Sequence, residues 1–407
     1  MKRLAIIKAV LLILIHEMAM AGGFQTLLQS QYGPGMAGSV SALNIDGSAV
    51  YYNPGSMSFL GKNSIVAGGG LALPKTAFRS NITGKVFNME DKNIPLYYAG
   101  GSFMINEKFA AGIILTTPYA YHSVWETNWQ GQYILQSSKL NNIQLQPAAS
   151  YKISEKIGIG AGVIFSATKF DWNKDLIVSS ESKASVKSQS NGVGFNIGLH
   201  YQMNEQLNMT LDYRSKIKHQ FKNSKVTFGG IPSSLSDYYP ASVNADADMP
   251  LPSVLTLAFC YNINKELKIH FETNLSGWSS FDSLNYKFDS DYAYLNSEFK
   301  QARKYRDALT IRLGVHYQLI EKLALRAGVA FDQSPVKENF ITPDMPDADK
   351  YQFGLGLSFK LNNQIKAECS YLFETKTERQ GTNRDTQLNG SYNSLSHQIG
   401  IGLTYTF

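Results

Sequence analysis

The chain has 407 residues, 43% of them hydrophobic and 17% charged, and a mean hydropathy of −0.20. After the first 21 residues no run approaches the roughly 20 apolar residues of a membrane helix, so a helical membrane protein is excluded. The formal charge of +6 forms no dense basic block, which gives no basis for a nucleic-acid partner. The aromatic content of 12%, with 23 Tyr, 22 Phe and 33 Gly, fits a membrane β-barrel. Only one face of each barrel strand meets lipid, so average hydropathy stays modest.

Residues 1–21 read as a secretory signal peptide. Lys2, Arg3 and Lys8 supply positive charge, Ala9–Ile15 the apolar stretch, and Ala19-Met20-Ala21 an A-x-A-like cleavage site. Glu17 ends the apolar run too early for an anchor, and the lack of a nearby Cys argues against a lipoprotein. The mature chain is expected from Gly22.

Residues 22–61 do not alternate. They are rich in small residues, as in Gly33-Pro34-Gly35, Ala37-Gly38-Ser39 and Gly47-Ser48-Ala49. Phe24, Leu27, Leu28, Tyr51, Tyr52, Met57 and Phe59 make the segment too apolar for a solvated tail.

Residues 62–407 alternate with a period of two, which a strand converts into two faces. The alternation predicts 14 strands, at about 64–73, 94–105, 109–124, 140–152, 156–171, 189–203, 206–220, 252–263, 266–279, 307–319, 322–334, 350–361, 364–376 and 394–407. In the last of them Leu395, His397, Ile399, Ile401, Leu403, Tyr405 and Phe407 share one face, with small polar residues on the other. The third contains Thr117-Pro118-Tyr119. Proline cannot donate to a ladder, so Pro118 either interrupts the ladder or ends the strand at Thr116. Pro147 on the fourth strand adds to a break there. By parity Arg214, Lys216, Arg312 and Arg326 point inward, where Asp212, Glu272 and Asp332 offer an ion-pair network. Cys260 faces inward and Cys369 outward on different strands, so no disulfide is expected.

The connections sharpen the class. Six are very short, at Asn106-Glu107, Ser154-Glu155, Asn204-Glu205, Asn264-Lys265, Ile320-Glu321 and Asn362-Asn363. Seven are long, at 74–93, 125–139, 172–188, 221–251, 280–306, 335–349 and 377–393, and the two kinds alternate without exception. A soluble sandwich or propeller has no reason to alternate loop lengths, whereas an outer-membrane barrel does. The fold class is therefore all-β: a 14-stranded antiparallel transmembrane barrel over 62–407, closed because an open edge cannot be satisfied in lipid. Both chain ends fall on the short-turn, periplasmic side. Fourteen strands enclose a wide lumen, so residues 22–61 are expected to fold back as an N-terminal hatch that plugs it.

Enzymatic signals are lacking. The histidines show no metal-ligand spacing, there is no G-x-S-x-G elbow, and Gly68-Gly69-Gly70 runs into a strand, not a helix. No cofactor, metal or catalytic residue is expected.

Several stretches resemble the FadL/TodX family of outer-membrane channels for hydrophobic compounds. They are Gly23-Phe24-Gln25, Gly33 and Gly35, Asp46, Asn53-Pro54-Gly55, Tyr213-Arg214-Ser215-Lys216 with Phe221-Lys222, Trp278-Ser279-Ser280-Phe281, and Gly328-Val329-Ala330-Phe331-Asp332-Gln333-Ser334-Pro335-Val336. The likeness runs from about Gly22 to Phe407. The family usually has Asn-Pro-Ala where this chain has Gly55, and Gly-x-Gly-Arg where it has Met36, so different contacts are expected to hold the hatch.

The resemblance implies passive transport of hydrophobic molecules such as long-chain fatty acids or hydrocarbons. Ligand would land in an apolar groove among the loops, enter an inner pocket, and leave sideways through the wall at a kinked third strand, here Thr117, Pro118 and Tyr119. The hatch residues would be Phe24, Gly33, Gly35, Asp46, Asn53, Pro54 and Gly55. Arg306, which stands where the family places a basic residue, is the candidate headgroup partner. The strand ending at Phe407 resembles the end read by the barrel-insertion machinery. The expected setting is the bacterial outer membrane and its lipid, as a monomer. Two other readings remain: a water-filled porin for polar solutes, and a surface adhesin or structural barrel using loop 221–251 with Tyr238-Tyr239-Pro240.

Overall fold

The computed structural model describes residues 23–289 and 298–407. The signal-peptide reading of 1–21 lies outside them. The barrel strands are β1 (Ser64–Ser80), β2 (Ile94–Met104), β3 (Phe109–Val124), β4 (Ser137–Lys152), β5 (Ile157–Asp175), β6 (Lys183–Gln202) and β7 (Leu207–Arg214, resuming as Ile217–Gly229). They continue as β8 (Ser242–Leu251 and Val254–Asn262), β9 (Leu267–Ser276), β10 (Ala308–Ile320), β11 (Leu323–Asp332), β12 (Lys350–Lys360), β13 (Ile365–Lys376) and β14 (Asn389–Thr406). Each pairs antiparallel with its sequence neighbours, and β1 pairs with β14 from Ser64↔Thr406 to Ser80↔Gly390. The result is a closed barrel of 14 antiparallel strands.

The alternation has its expected physical reading. Outward positions form an apolar belt, with Ile401 73%, Val193 65% and Leu355 60% exposed, while inward neighbours such as Thr404, Asn196 and Gln352 are buried. Cys260 is buried and Cys369 exposed, as parity places them, and both are free thiols.

Five of the six short turns are closed by their own first residue. Asn106, Asn204, Asn264 and Asn362 each accept two backbone N–H bonds through Oδ1, from residues two and three ahead. Ser154 does the same through Oγ. Such Asx and ST turns need no tertiary partner, which is why a two-residue cue in the sequence suffices. On the opposite side the strands run further than the apolar alternation. β1 extends to Ser80, β6 starts at Lys183 and β8 at Ser242, because above the belt the ladder continues through polar residues. One parity expectation is overturned. Lys216 is exposed, not lumenal, because β7 breaks at 215–216 and resumes with Ile217, His219 and Phe221 inward.

Residues 24–59 pack against the inward faces of the strands. Short helical turns at Tyr32–Gly35, Ala49–Tyr52 and Pro54–Phe59 are almost wholly buried. Backbone approach is close: a Cβ on Gly328 would stand 2.2 Å from Met36 C, and one on Gly160 2.4 Å from Pro54 C.

Candidate functional site

The wall is interrupted between β2 and β3. Their ladder ends at Tyr98↔Thr116. At the next step a side chain substitutes for the backbone: Tyr97 N–H donates to Thr117 Oγ1 at 3.0 Å, and the hydroxyl contacts Tyr97 O at 3.3 Å. Beyond this β3 next meets the preceding segment at the isolated bridge Met89↔Trp125. On its other side the pairing slips from Thr116↔Gln144 to Tyr119↔Asn142, a one-residue bulge. The bulge exchanges the two faces of β3. Ile114 and Thr116 point inward before it, Tyr119 and Ser123 after it. Proline explains the placement, since Pro118 has no N–H to offer a neighbour. Pro95 borders the same gap from β2, at Leu71↔Pro95, beyond the last β3 partner. Pro147 does not belong to this break. It pairs with Ile113 of β3, and its effect is on β5, where pairing skips from Leu145↔Phe165 to Ala148↔Gly162.

The N-terminal segment occupies the vacated edge of β3. Thr26 N–H donates to Pro118 O at 2.8 Å and Thr26 Oγ1 to Thr117 O at 2.7 Å. Ala120 N–H donates to Phe24 O at 3.2 Å, and Gln25 forms an antiparallel bridge with Tyr119. The Phe24 ring sits edge-on to Tyr119, Tyr121 and Trp278, with centroids 5.8, 5.6 and 5.0 Å away.

Lumenal charges hold the rest of the segment. Glu272 accepts N–H bonds from Val40 and Ser41, both at 2.9 Å. Arg312 donates to Ala37 O at 2.7 Å, and Arg214 to Tyr51 O at 3.0 Å. The Arg326 guanidinium lies 3.9 Å from the Tyr32 ring centre and 3.5 Å from Glu368. The expected ion-pair network is therefore only partly present. Asp332 pairs with Lys350 at 3.5 Å, while Glu272, Arg214 and Arg312 spend hydrogen bonds on the N-terminal backbone. A buried backbone group without a partner is costly, so these side chains satisfy what an irregular segment cannot satisfy itself.

Two cavities flank this arrangement. An inner one of about 170 Å³ joins apolar groups at the interrupted wall, including Phe24, Pro74, Ile94 and Ala120, to the charged residues Lys350 and Lys376. A second, of about 250 Å³, lies among the long loops. Leu135, Phe170, Trp172, Tyr286 and Phe299 line it, with Lys174, Lys300 and Arg303 at its polar side. Arg303 is buried and paired with Asp344 at 2.6 Å. Burial disfavours the Asp344 carboxylate, but the Arg303 guanidinium outweighs it and holds its pKa below the ordinary carboxylate value.

The residues singled out from sequence divide accordingly. At the wall break Thr117 and Pro118 bond Thr26, and Tyr119 meets Phe24. Gly33 and Gly35 lie in tight turns, a Cβ on Gly33 standing 2.0 Å from Leu27 O. Asp46 accepts from Ser48 N–H at 2.9 Å. Asn53 accepts from Gly55 N–H and donates to Leu199 O, both at 2.9 Å, starting the turn that Pro54 enters. Gly55 departs from the family pattern where a Cβ would stand 2.5 Å from Gly198 O, and buried Met36 packs on Gly314 and Gly328. Arg306 stands apart. It is half-buried, its backbone N–H donates to Pro335 O at 3.0 Å, and it is outside the linings of both cavities. Sequence reasoning missed Thr26, Pro95, Arg303 and Asp344. Pro95 had a readable signal, a proline at the start of the neighbouring strand, whereas the other three depend on contacts distant in the chain.

Comparison with known proteins gives a consistent result. The profile of the family described as "Outer membrane protein transport protein (OMPP1/FadL/TodX)" matches residues 12–407. Outer membrane protein P1 of Haemophilus influenzae is 24% identical over 74% of this chain and 73% of its own. The long-chain fatty acid transport protein of Escherichia coli O6:H1 is 24% identical over 91% of both chains. Among solved structures, a Pseudomonas aeruginosa FadL homologue superposes with a TM-score of 0.85 at 21% identity, covering 94% of this chain and 99% of that one. The P. putida toluene transporter TodX gives 0.71 at 15% identity, covering 96% and 99%.

Proposed function

This chain belongs to the OMPP1/FadL/TodX family of outer-membrane transport proteins, and from that premise we propose that it passes hydrophobic molecules through a lateral opening in its wall. The ligands are long-chain fatty acids or comparable hydrocarbons. They settle first in the aromatic cavity among the loops, then in the inner cavity, and leave between β2 and β3. Residues 22–61 act as the hatch, with Phe24 to Thr26 as its movable edge. The observation that carries this reading is the pairing of Thr26 with Pro118 where β2 no longer pairs with β3. A lateral exit suits apolar cargo. Each methylene kept out of water is worth about 0.8 kcal/mol, so an acyl chain moves into the bilayer far more readily than into the periplasm. A filled lumen also favours this reading over an open porin.

For a carboxylate headgroup the geometry favours Lys174 and Lys300 at the loop cavity over Arg306. The Lys174 ammonium lies 5.3 Å from the Phe299 ring centre, so charge and apolar surface meet there.

The test is a reversible lock. Gln25 and Tyr119 are bridge partners, so Gln25→Cys with Tyr119→Cys places two thiols within disulfide reach. Uptake of radiolabelled oleate and of toluene is measured in cells lacking their own channel. The unmodified chain should support uptake, and the locked variant should lose it until a reductant is added. Equal uptake by locked and reduced forms would exclude the lateral route, and a large steady conductance in planar bilayers would favour a porin.

A further inference from the structure

Just above the apolar belt, the outer wall carries a row of lysines on β4 to β7. The ladder fixes the row: His122↔Lys139, Lys139↔Asp171, Asp171↔Lys187, Lys187↔Lys225 and Lys225↔Asn244 lie side by side. The row below it is Asn141, Lys169 and Gln189. All face outward, because the residues beside them, Ser138, Phe170, Val186 and Val226, are buried. Lys139, Lys169, Lys187 and Lys225 are exposed, and none makes an ion pair among the described residues. This contrasts with Lys218 and Lys222 on the same strand as Lys225, which pair with Asp248 and Asp246 at 2.9 Å.

Lys187 and Lys225 are directly opposite across an antiparallel ladder, where Cα atoms stand about 4.5–5.5 Å apart and like charges destabilise. An anion between them removes that penalty. The surroundings suit one. Asn141, Gln189, Asn191 and Gln220 supply amide donors, and with Lys169 they line a cleft of about 620 Å³ against the wall. Exposed Ile143, Phe165, Val193 and Ile197 lie below on the same strands. The patch therefore sits where acyl chains give way to headgroups, and a ligand with a phosphate above and acyl chains below satisfies both zones at once.

We infer that this face binds a phosphorylated glycolipid of the outer leaflet, with its phosphate held by Lys169, Lys187 and Lys225 and its acyl chains on the apolar belt beneath. Lysine recognises phosphate as a point charge without fixed geometry, which suits a headgroup at the surface. The cleft is also lined by Tyr97 and Thr117, so the bound lipid flanks the gap between β2 and β3.

The test uses the purified full chain in detergent and native mass spectrometry. The probes are bis-phosphorylated lipid A and the same lipid A stripped of its phosphates. The variant combines Lys169→Gln, Lys187→Gln and Lys225→Gln, and the control combines Lys322→Gln with Lys360→Gln on the short-turn side. Retained β-sheet circular dichroism establishes that both fold. The unmodified chain and the control should hold phosphorylated lipid A equally. The triple variant should need at least about tenfold more, because each lysine near an anionic group adds to the attraction. Equal binding by the triple variant overturns the proposal, as does equal binding of phosphate-free lipid A. Displacement of lipid A by millimolar inorganic phosphate overturns it in favour of a free-phosphate site.

Discussion

The backbone N–H of Thr26 donates to the carbonyl of Pro118 across 91 or more residues of intervening chain, at 2.8 Å. It takes the edge that β2 leaves unpaired. Thr117 stands at the junction of the two, bonded to Tyr97 through its hydroxyl and to Thr26 through its carbonyl.

Thr117→Val isolates the first of those contacts. It keeps the shape of the side chain and removes the acceptor for Tyr97 N–H. An unsatisfied buried donor costs about 1–3 kcal/mol. Hydrogen exchange at the Tyr97 amide should accelerate, while exchange at Ala99, inside the intact ladder, stays slow. Unchanged protection at Tyr97 would mean that water closes the gap as well as the hydroxyl does.

Glu272 tests the anchoring of the N-terminal segment from the far wall. It accepts two backbone donors, so Glu272→Ala strands both, with the same penalty of about 1–3 kcal/mol each. Gly328→Ala attacks the same region sterically, because its Cβ would collide with the Met36 backbone. Both variants should raise ion conductance in planar bilayers above that of the unmodified barrel. Conductance at the original level in both would show that residues 36–41 do not limit the lumen.

The loop cavity has a defined acid response. The folded-state pKa of Asp344 lies below its ordinary value of 3.8. The Arg303 pair therefore contributes its full stabilisation above that value and loses it as pH falls through the lower folded pKa. Trp125 reports this, since its Nε1–H donates to Pro343 O at 3.0 Å, beside Asp344. Its emission should hold steady from neutral pH to about 4 and shift only below. Asp344→Asn should abolish the shift. Arg303→Met leaves a buried carboxylate uncompensated, a loss of about 3–5 kcal/mol, and should release this loop at neutral pH.

Ligand charge is read by a comparison of substrates. Lys174→Gln with Lys300→Gln should lower oleate uptake several-fold and leave toluene uptake near its starting value. Arg306→Ala should change neither. A selective loss of oleate uptake in the Arg306 variant would restore that residue as the headgroup partner.

The architecture was legible because it rests on local chemistry. Five of the six short turns announce themselves by an Asn or Ser that caps its own loop, and each strand by a period of two. Lys216 shows where this fails: a break at 215–216 exchanges the faces, and no residue type there marks it. Thr117 to Tyr119 were found because a proline has only one hydrogen-bonding consequence in a strand. Thr26 was not, because an ordinary threonine becomes significant only through residues about ninety positions away. Arg303 and Asp344 lie in loops without periodicity, so parity had nothing to say about them.

The self-capped turns bear on how the barrel assembles. A hairpin whose register is set by its own Asn or Ser closes a loop of only a few residues, which costs little chain entropy. Five of the strand pairings can form this way before the sheet has any overall shape. The pairing of Ser64 with Thr406 cannot, since it joins positions at opposite ends of the strand series. That seam should be the slow event in folding, and substitutions along it, more than anywhere else in the wall, should decide how fast the cylinder shuts.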